Sequence, residues 1–138
     1  MMVSMVSFLV IVQAAISFTA IAGGTVSGID EPRQVVVRTT DEWQAVWKEH
    51  NGRTPAPPVD FSAATVVGLF LGSRRTAGFE VEITALKKEG DVLVVEYVER
   101  TPRPGSFVAQ IITSPFHLVS VARNEGEVQF RKVADPPS

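Results

Sequence analysis

The chain has no cysteine. That absence excludes a disulfide framework, a thiolate metal site, a cysteine nucleophile and a lipid-modified cysteine. Histidine is scarce, with His50 and His117 the 2 in 138 residues. Positive charge is not in excess, since 13 Lys and Arg stand against 15 Asp and Glu for a net charge of −2. No basic field exists to hold nucleic acid or anionic lipid non-specifically, and nucleic acid is not expected as a partner. Chemical motifs are missing too: no G-x-S-x-G elbow, no H-x-x-x-H spacing, no glycine-rich phosphate loop before a helix. Disorder is excluded by composition, with 45% hydrophobic and 20% charged residues. A chain of this length buries enough surface to fold as one domain without covalent staples.

What is present begins with an uncharged stretch from Met1 to Ile29. Met5 to Val12 is apolar apart from Ser7 and ends in Gln13-Ala14-Ala15. An apolar run followed by small residues reads as an export signal over residues 1–15, cut after Ala14 or Ala15. The protein is therefore expected in the periplasm or outside the cell, with no stable membrane insertion once processed. The alternative is an uncleaved N-terminal anchor. A single domain then spans residues 16–133, followed by a frayed tail at 134–138.

Within the domain, Ile16, Phe18, Ala20 and Ala22 recur with a period of two, and Gln34 to Arg38 is a short β-branched strand. Thr39 and Glu42 form a capping-box pair that opens a helix. Trp43, Val46, Trp47 and His50 make its apolar stripe, and Asn51-Gly52 should stop it through a left-handed glycine. Thr54 to Pro58 is a stiff connector. Thr65 to Leu71 is apolar throughout, the pattern of a strand buried on both faces. Phe79, Val81 and Ile83 alternate with Glu80, Glu82 and Thr84, and a turn at Lys88 to Asp91 joins this strand to Val92–Val98 as a hairpin. Phe107 to Thr113 and Phe116 to Ala122 are strand-like runs bent apart at Ser114-Pro115, and Asn124 to Gly126 turns into a last strand, Glu127 to Val133. The sum is an α+β domain, a mainly antiparallel β-sheet of about seven strands with one packed α-helix.

Each residue able to do chemistry has a plainer role beside it. His50 on the tryptophan stripe reads as a packed residue, and His117 within an apolar run as a satisfied strand histidine. Glu80 and Glu82 share a strand face and describe a solvated edge. Nothing in the pattern assembles a catalytic, cofactor or metal site, so a non-enzymatic protein is expected. The least ordinary local feature is Arg74-Arg75-Thr76-Ala77-Gly78-Phe79, two cations and a small-residue turn between two sheet strands. Charged loops on rigid sheets are where binding concentrates, which makes this segment the candidate partner-binding loop.

Several segments together resemble a known family. They are Trp43, Trp47 and His50 on the helix, Val59-Asp60-Phe61-Ser62, and Phe70 through Phe79 with Val81 and Ile83. Pro102-x-Pro104-Gly105 and Thr113-Ser114-Pro115-Phe116-His117 follow, with Ser27-Gly28-Ile29 and Glu31-Pro32-Arg33 upstream. In this order they resemble the C-terminal domain of the PrcB family, whose members are called protease complex subunits. The resemblance runs from about Phe18 to Val133. It implies an exported, non-enzymatic accessory domain that acts by protein–protein contact, with a protease as the named partner. The family loop tends toward R-P-T-G-G-Y, and here Arg75 stands for the proline, Ala77 for a glycine and Phe79 for the tyrosine. Two other readings compete. One is a protease inhibitor-like domain, because the Thr-Ala-Gly-Phe turn is similar to the loop of chagasin-type inhibitors. The other is a small enzyme using His50 or His117.

Overall fold

The computed structural model describes residues 14–135, so most of the expected export signal and the last residues of the expected tail lie outside the described residues. Ala14–Ile16 forms strand β1 and Phe18–Gly24 forms β2, with only Ser17 between them. They belong to different sheets. β1 lies antiparallel to β5 (Glu80–Glu89), and β2 lies antiparallel to β7 (Phe116–Ala122). A register shift at Ile21 interrupts the period of two. Ile16 and Phe18 consequently pack toward one core, and Ile21 and Ala22 toward another.

The remaining strands are β3 (Arg33–Val37), β4 (Ala64–Phe70), β6 (Val92–Arg100) and β8 (Val128–Lys132). Two sheets of 4 strands result, ordered β1-β5-β6-β8 and β2-β7-β4-β3. Every pairing is antiparallel except β6 with β8. The one helix among the described residues, α1 (Thr40–Asn51), covers the outer face of the second sheet. With 8 strands and 1 helix among the described residues, the α+β reading stands.

Strand β4 explains the layering. Val67 and Leu69, with Leu71 beyond its end, face the first sheet and meet Ile83, Leu86, Leu93, Val95 and Val119. Val66 and Phe70 face the helix and meet Trp43, Trp47, Val35, Val37 and Leu118. A strand between two cores needs apolar side chains on both faces, which is why its sequence does not alternate. On α1, Thr39 accepts the Glu42 N–H at 3.2 Å and its hydroxyl bonds the Glu42 carboxylate at 3.1 Å. The tryptophan stripe is buried as expected, and the indole N–H groups of Trp43 and Trp47 donate to Pro57 and Thr54 carbonyls at 2.9 and 3.0 Å. The proline-rich connector is thereby tied to the helix it follows.

Three expectations need correction. Gly52 closes the helix with φ −71, in the right-handed region. Its glycine answers a close approach instead, since a Cβ there would lie 3.0 Å from the Lys48 carbonyl oxygen. The β5–β6 turn is tighter than Lys88 to Asp91, because Lys88 and Glu89 still pair and only Gly90-Asp91 turns. Phe107 to Thr113 is not a strand: the chain there crosses from the end of β6 in one sheet to the start of β7 in the other, and no strand runs beside it. The last strand, β8, crosses to the first sheet and lies parallel to β6. At the end of the domain, Val133 N–H donates to the Tyr97 carbonyl at 2.8 Å, and beyond it Arg100 donates to Asp135 at 2.9 Å.

Candidate functional site

Strands β2, β4 and β6 finish at the same end of the sandwich at which β5 and β7 begin. The pairs Gly24↔Phe116, Phe70↔Phe116 and Glu80↔Arg100 fix this alignment. Three connections meet there: residues 25–32, 71–79 and 101–115. They are stitched to one another by backbone bonds. Arg74 and Thr113 exchange N–H···O bonds of 2.7 and 2.9 Å, and Ala77 N–H reaches the Ala109 carbonyl at 3.0 Å. Ser73 N–H donates to Asp30 at 2.9 Å and Ser114 N–H to Thr25 at 2.7 Å. The Thr113 hydroxyl donates to the Thr76 carbonyl at 2.9 Å.

The Arg74–Phe79 loop is held by these bonds and its two arginines differ. Arg74 is half-buried and donates to the carbonyls of Leu71 at 2.9 Å and Ser73 at 3.2 Å. Its guanidinium lies 5.7 Å from the centre of the Phe79 ring, a cation–π distance. Arg75 is exposed. Thr76 and Ala77 are half-buried, and Gly78 turns with φ +97 against Pro102. A side chain at Gly78 would be strained by its backbone and crowded by the proline, at 2.8 Å. Arg74 thus braces the loop while Arg75 presents charge to solvent.

The sequence pattern did not single out the apolar part of this end. The large exposed hydrophobic residues among the described ones are Val26, Phe107, Ile111 and Ile112. All four sit on its connections. Phe107 is fully exposed, and Val26 and Ile112 are more than three-quarters so. The Thr25–Ser114 bond sets the Val26 connection beside Ile112. A signal existed: Phe107 to Ile112 lacks alternation, and Pro102, Pro104 and Gly105 precede it.

Both histidines are also at this end. The Ser27 hydroxyl and His50 Nδ1 are 2.8 Å apart, Gly28 N–H donates to the His50 carbonyl at 2.8 Å, and Ile29 N–H donates to Ser27 at 3.1 Å. The imidazole packs among Trp47, Phe70 and Phe116, with its centroid 4.2 Å from that of Phe116. Burial lowers its pKa. These bonds clip the β2–β3 connection onto the end of α1. His117 Nδ1 accepts the Ile83 N–H at 2.8 Å and so joins the two sheets. Burial lowers the His117 pKa, opposed by the nearby Glu82 carboxylate. Glu80 and Glu82 flank Arg100 at 3.5 and 2.9 Å, and Asp135 completes the cluster and raises the Arg100 pKa. No group of His, Asp and Glu able to hold a metal ion is gathered among the described residues. No helix there is long and apolar enough to cross a membrane.

No curated protein and no solved structure matches the chain. The family model of the PrcB C-terminal domain matches residues 65–122, which run from β4 through the hairpin and both apolar and cationic loops to the end of β7. From Thr65 to Ala122, the chain is similar to the PrcB C-terminal family.

Proposed function

We propose that this domain is an exported, non-enzymatic binding module that joins a protease complex by protein–protein contact through the stitched loop end. One observation carries the reading: the large exposed hydrophobic residues among the described ones, Val26, Phe107, Ile111 and Ile112, lie on the connections of one end. Large exposed apolar side chains gathered at one end mark an interaction surface, and the flanking arginine is of a type enriched at binding hot spots. The cross-bonded loops support it further, because a preorganised surface loses little conformational freedom when a partner docks. The family's name supplies the class of partner. Ser27 and His50 stand as close as a nucleophile and its base, yet Ser27 also accepts Ile29 N–H and the ring is packed among aromatic residues, as suits a structural clip.

The test is capture from the exporting cell with the parent and with Phe107→Ser combined with Ile112→Ser. The parent should retain a protease-containing complex, the variant should lose it, and both should melt alike. Arg75→Ala should weaken the complex and leave its remaining affinity less dependent on salt. Equal capture by parent and variant would refute the loop end as the binding surface. Added to papain-like and subtilisin-like proteases, the purified domain should leave their turnover unchanged. Stoichiometric inhibition would replace the accessory reading with an inhibitor.

A further inference from the structure

Strand β5 is paired along its whole length on one side and along part of it on the other. β6 covers Glu80 to Glu89, whereas β1 covers only Leu86 to Lys88. At Ser17 the chain leaves the first sheet, and β2 continues on the edge of the second. The stretch from Glu80 to Ile83 is therefore an open strand edge. Pairing across the two-residue turn makes Glu89, Lys87 and Ala85 bond β6, and the register shift between Ile83 and Ala85 passes that role to Glu82 and Glu80, so the N–H and C=O groups of Val81 and Ile83 point outward along that edge. The Ile83 N–H is taken by His117 Nδ1. Among the described residues no strand lies against Val81.

The opening is a cleft of about 320 Å³ between this edge and the end of β2, lined by Gly23, Gly24, Val81, Glu82, Arg100 and His117. Because Nδ1 of His117 accepts a bond, the ring of the neutral imidazole carries its proton on Nε2, a donor that has no acceptor among the described residues. Gly23 keeps the space: a Cβ there would lie 3.0 Å from His117 Cδ2. The rim is acidic, with the carboxylates of Glu80, Glu82 and Asp135 around the single guanidinium of Arg100.

We propose that this edge is a strand-addition site, at which an extended, basic segment of a partner protein pairs with Val81 and lays a Lys or Arg against Glu80 and Glu82. Main-chain bonds to an open edge supply affinity and the flanking side chains supply selectivity. The acidic rim also rejects a second copy of this chain, since pairing of two such edges would bring like charges together. The site is separate from the Phe107 and Arg75 surface and does not depend on that surface being used.

The test uses the full chain and a displayed library of random short peptides. Enrichment of extended sequences bearing Lys or Arg is expected. An enriched peptide should slow exchange of the Val81 amide, and its N-methylation at alternate amides should weaken binding at least ~10-fold, as loss of main-chain pairing requires. Glu80→Gln with Glu82→Gln should weaken the same peptide, while Arg75→Ala should not. Enrichment of no sequence, or of peptides indifferent to N-methylation, would overturn the proposal. Loss of binding in Arg75→Ala alone would move the site to the loops and overturn it equally.

Discussion

At one end of the sandwich the chain turns on Gly90-Asp91, caps α1 with Thr39 and ties Asp60 to the N–H and hydroxyl of Ser62 at 3.0 and 2.6 Å. Thr65 and Asn124 bond one another there, and Arg38 reaches the carbonyls of Asn124 and Gly126 at 2.9 and 2.6 Å. One buried atom, Asn124 Oδ1, keeps no partner. At the other end the connections are longer, carry Val26, Phe107, Ile111 and Ile112 to the surface, and stand over a buried His50 and a half-buried His117. Apart from Asn124 Oδ1, the first end satisfies its own buried polar groups, and it exposes no large hydrophobic residue among those described. The second is as well bonded in its backbone and yet leaves apolar side chains in water. Folding does not require that exposure, and it is the observation on which the proposed contact surface rests.

The largest expected effect tests whether the two ends stand on a common core. Trp43→Ala should cost ~3–5 kcal/mol, the range for a buried tryptophan emptied to a cavity. Chemical denaturation of parent and variant measures it. Amide exchange should then quicken at both ends together. A variant as stable as the parent would mean that the helix supports neither.

A smaller effect should be confined to the loop end. His117→Leu leaves the Ile83 N–H without an acceptor, and a buried orphan donor costs ~1–3 kcal/mol. The histidine also sets a pH dependence. Burial lowers the folded pKa of His117, and of His50, below the ordinary 6.5, so the unfolded chain binds more protons. Stability is complete above that value and is lost as the pH falls below it. Melting between about pH 7 and pH 5 should show the loss, and His117→Leu should reduce it. Ile83 should exchange faster in acid before residues at the Gly90-Asp91 turn do.

The smallest effect belongs to the opposite end. Thr39→Ala removes the acceptor for Glu42 N–H and should cost ~1 kcal/mol with no change in partner capture. A fall in capture would break the division of labour between the ends.

The contrast between the ends also tracks what the sequence made legible. Helix α1, the doubly buried β4 and the β5–β6 hairpin each write their environment into a local period, and residues as near as Thr39 and Glu42 settle their boundaries. The Arg74–Phe79 loop was found because its residue types are unusual between two strands. Phe107 to Thr113 misleads because apolar residues on an exposed crossing look the same as those of a strand. The Ser27–His50 clip, the His117–Ile83 bond and the parallel place of β8 join residues far apart in the chain. No local pattern encodes them. The switch of β1 and β2 between sheets is equally invisible, since both strands share one run of small and apolar residues.

The most direct measurement places a photo-crosslinking phenylalanine analogue at position 107 and, separately, at position 91, in the protein as its own cell produces it. Both sites are exposed, one on each end, so neither substitution disturbs the core. Crosslinking from position 107 to one discrete partner, and none from position 91, is the result predicted here. A partner trapped from position 91 and not from 107 would contradict the account.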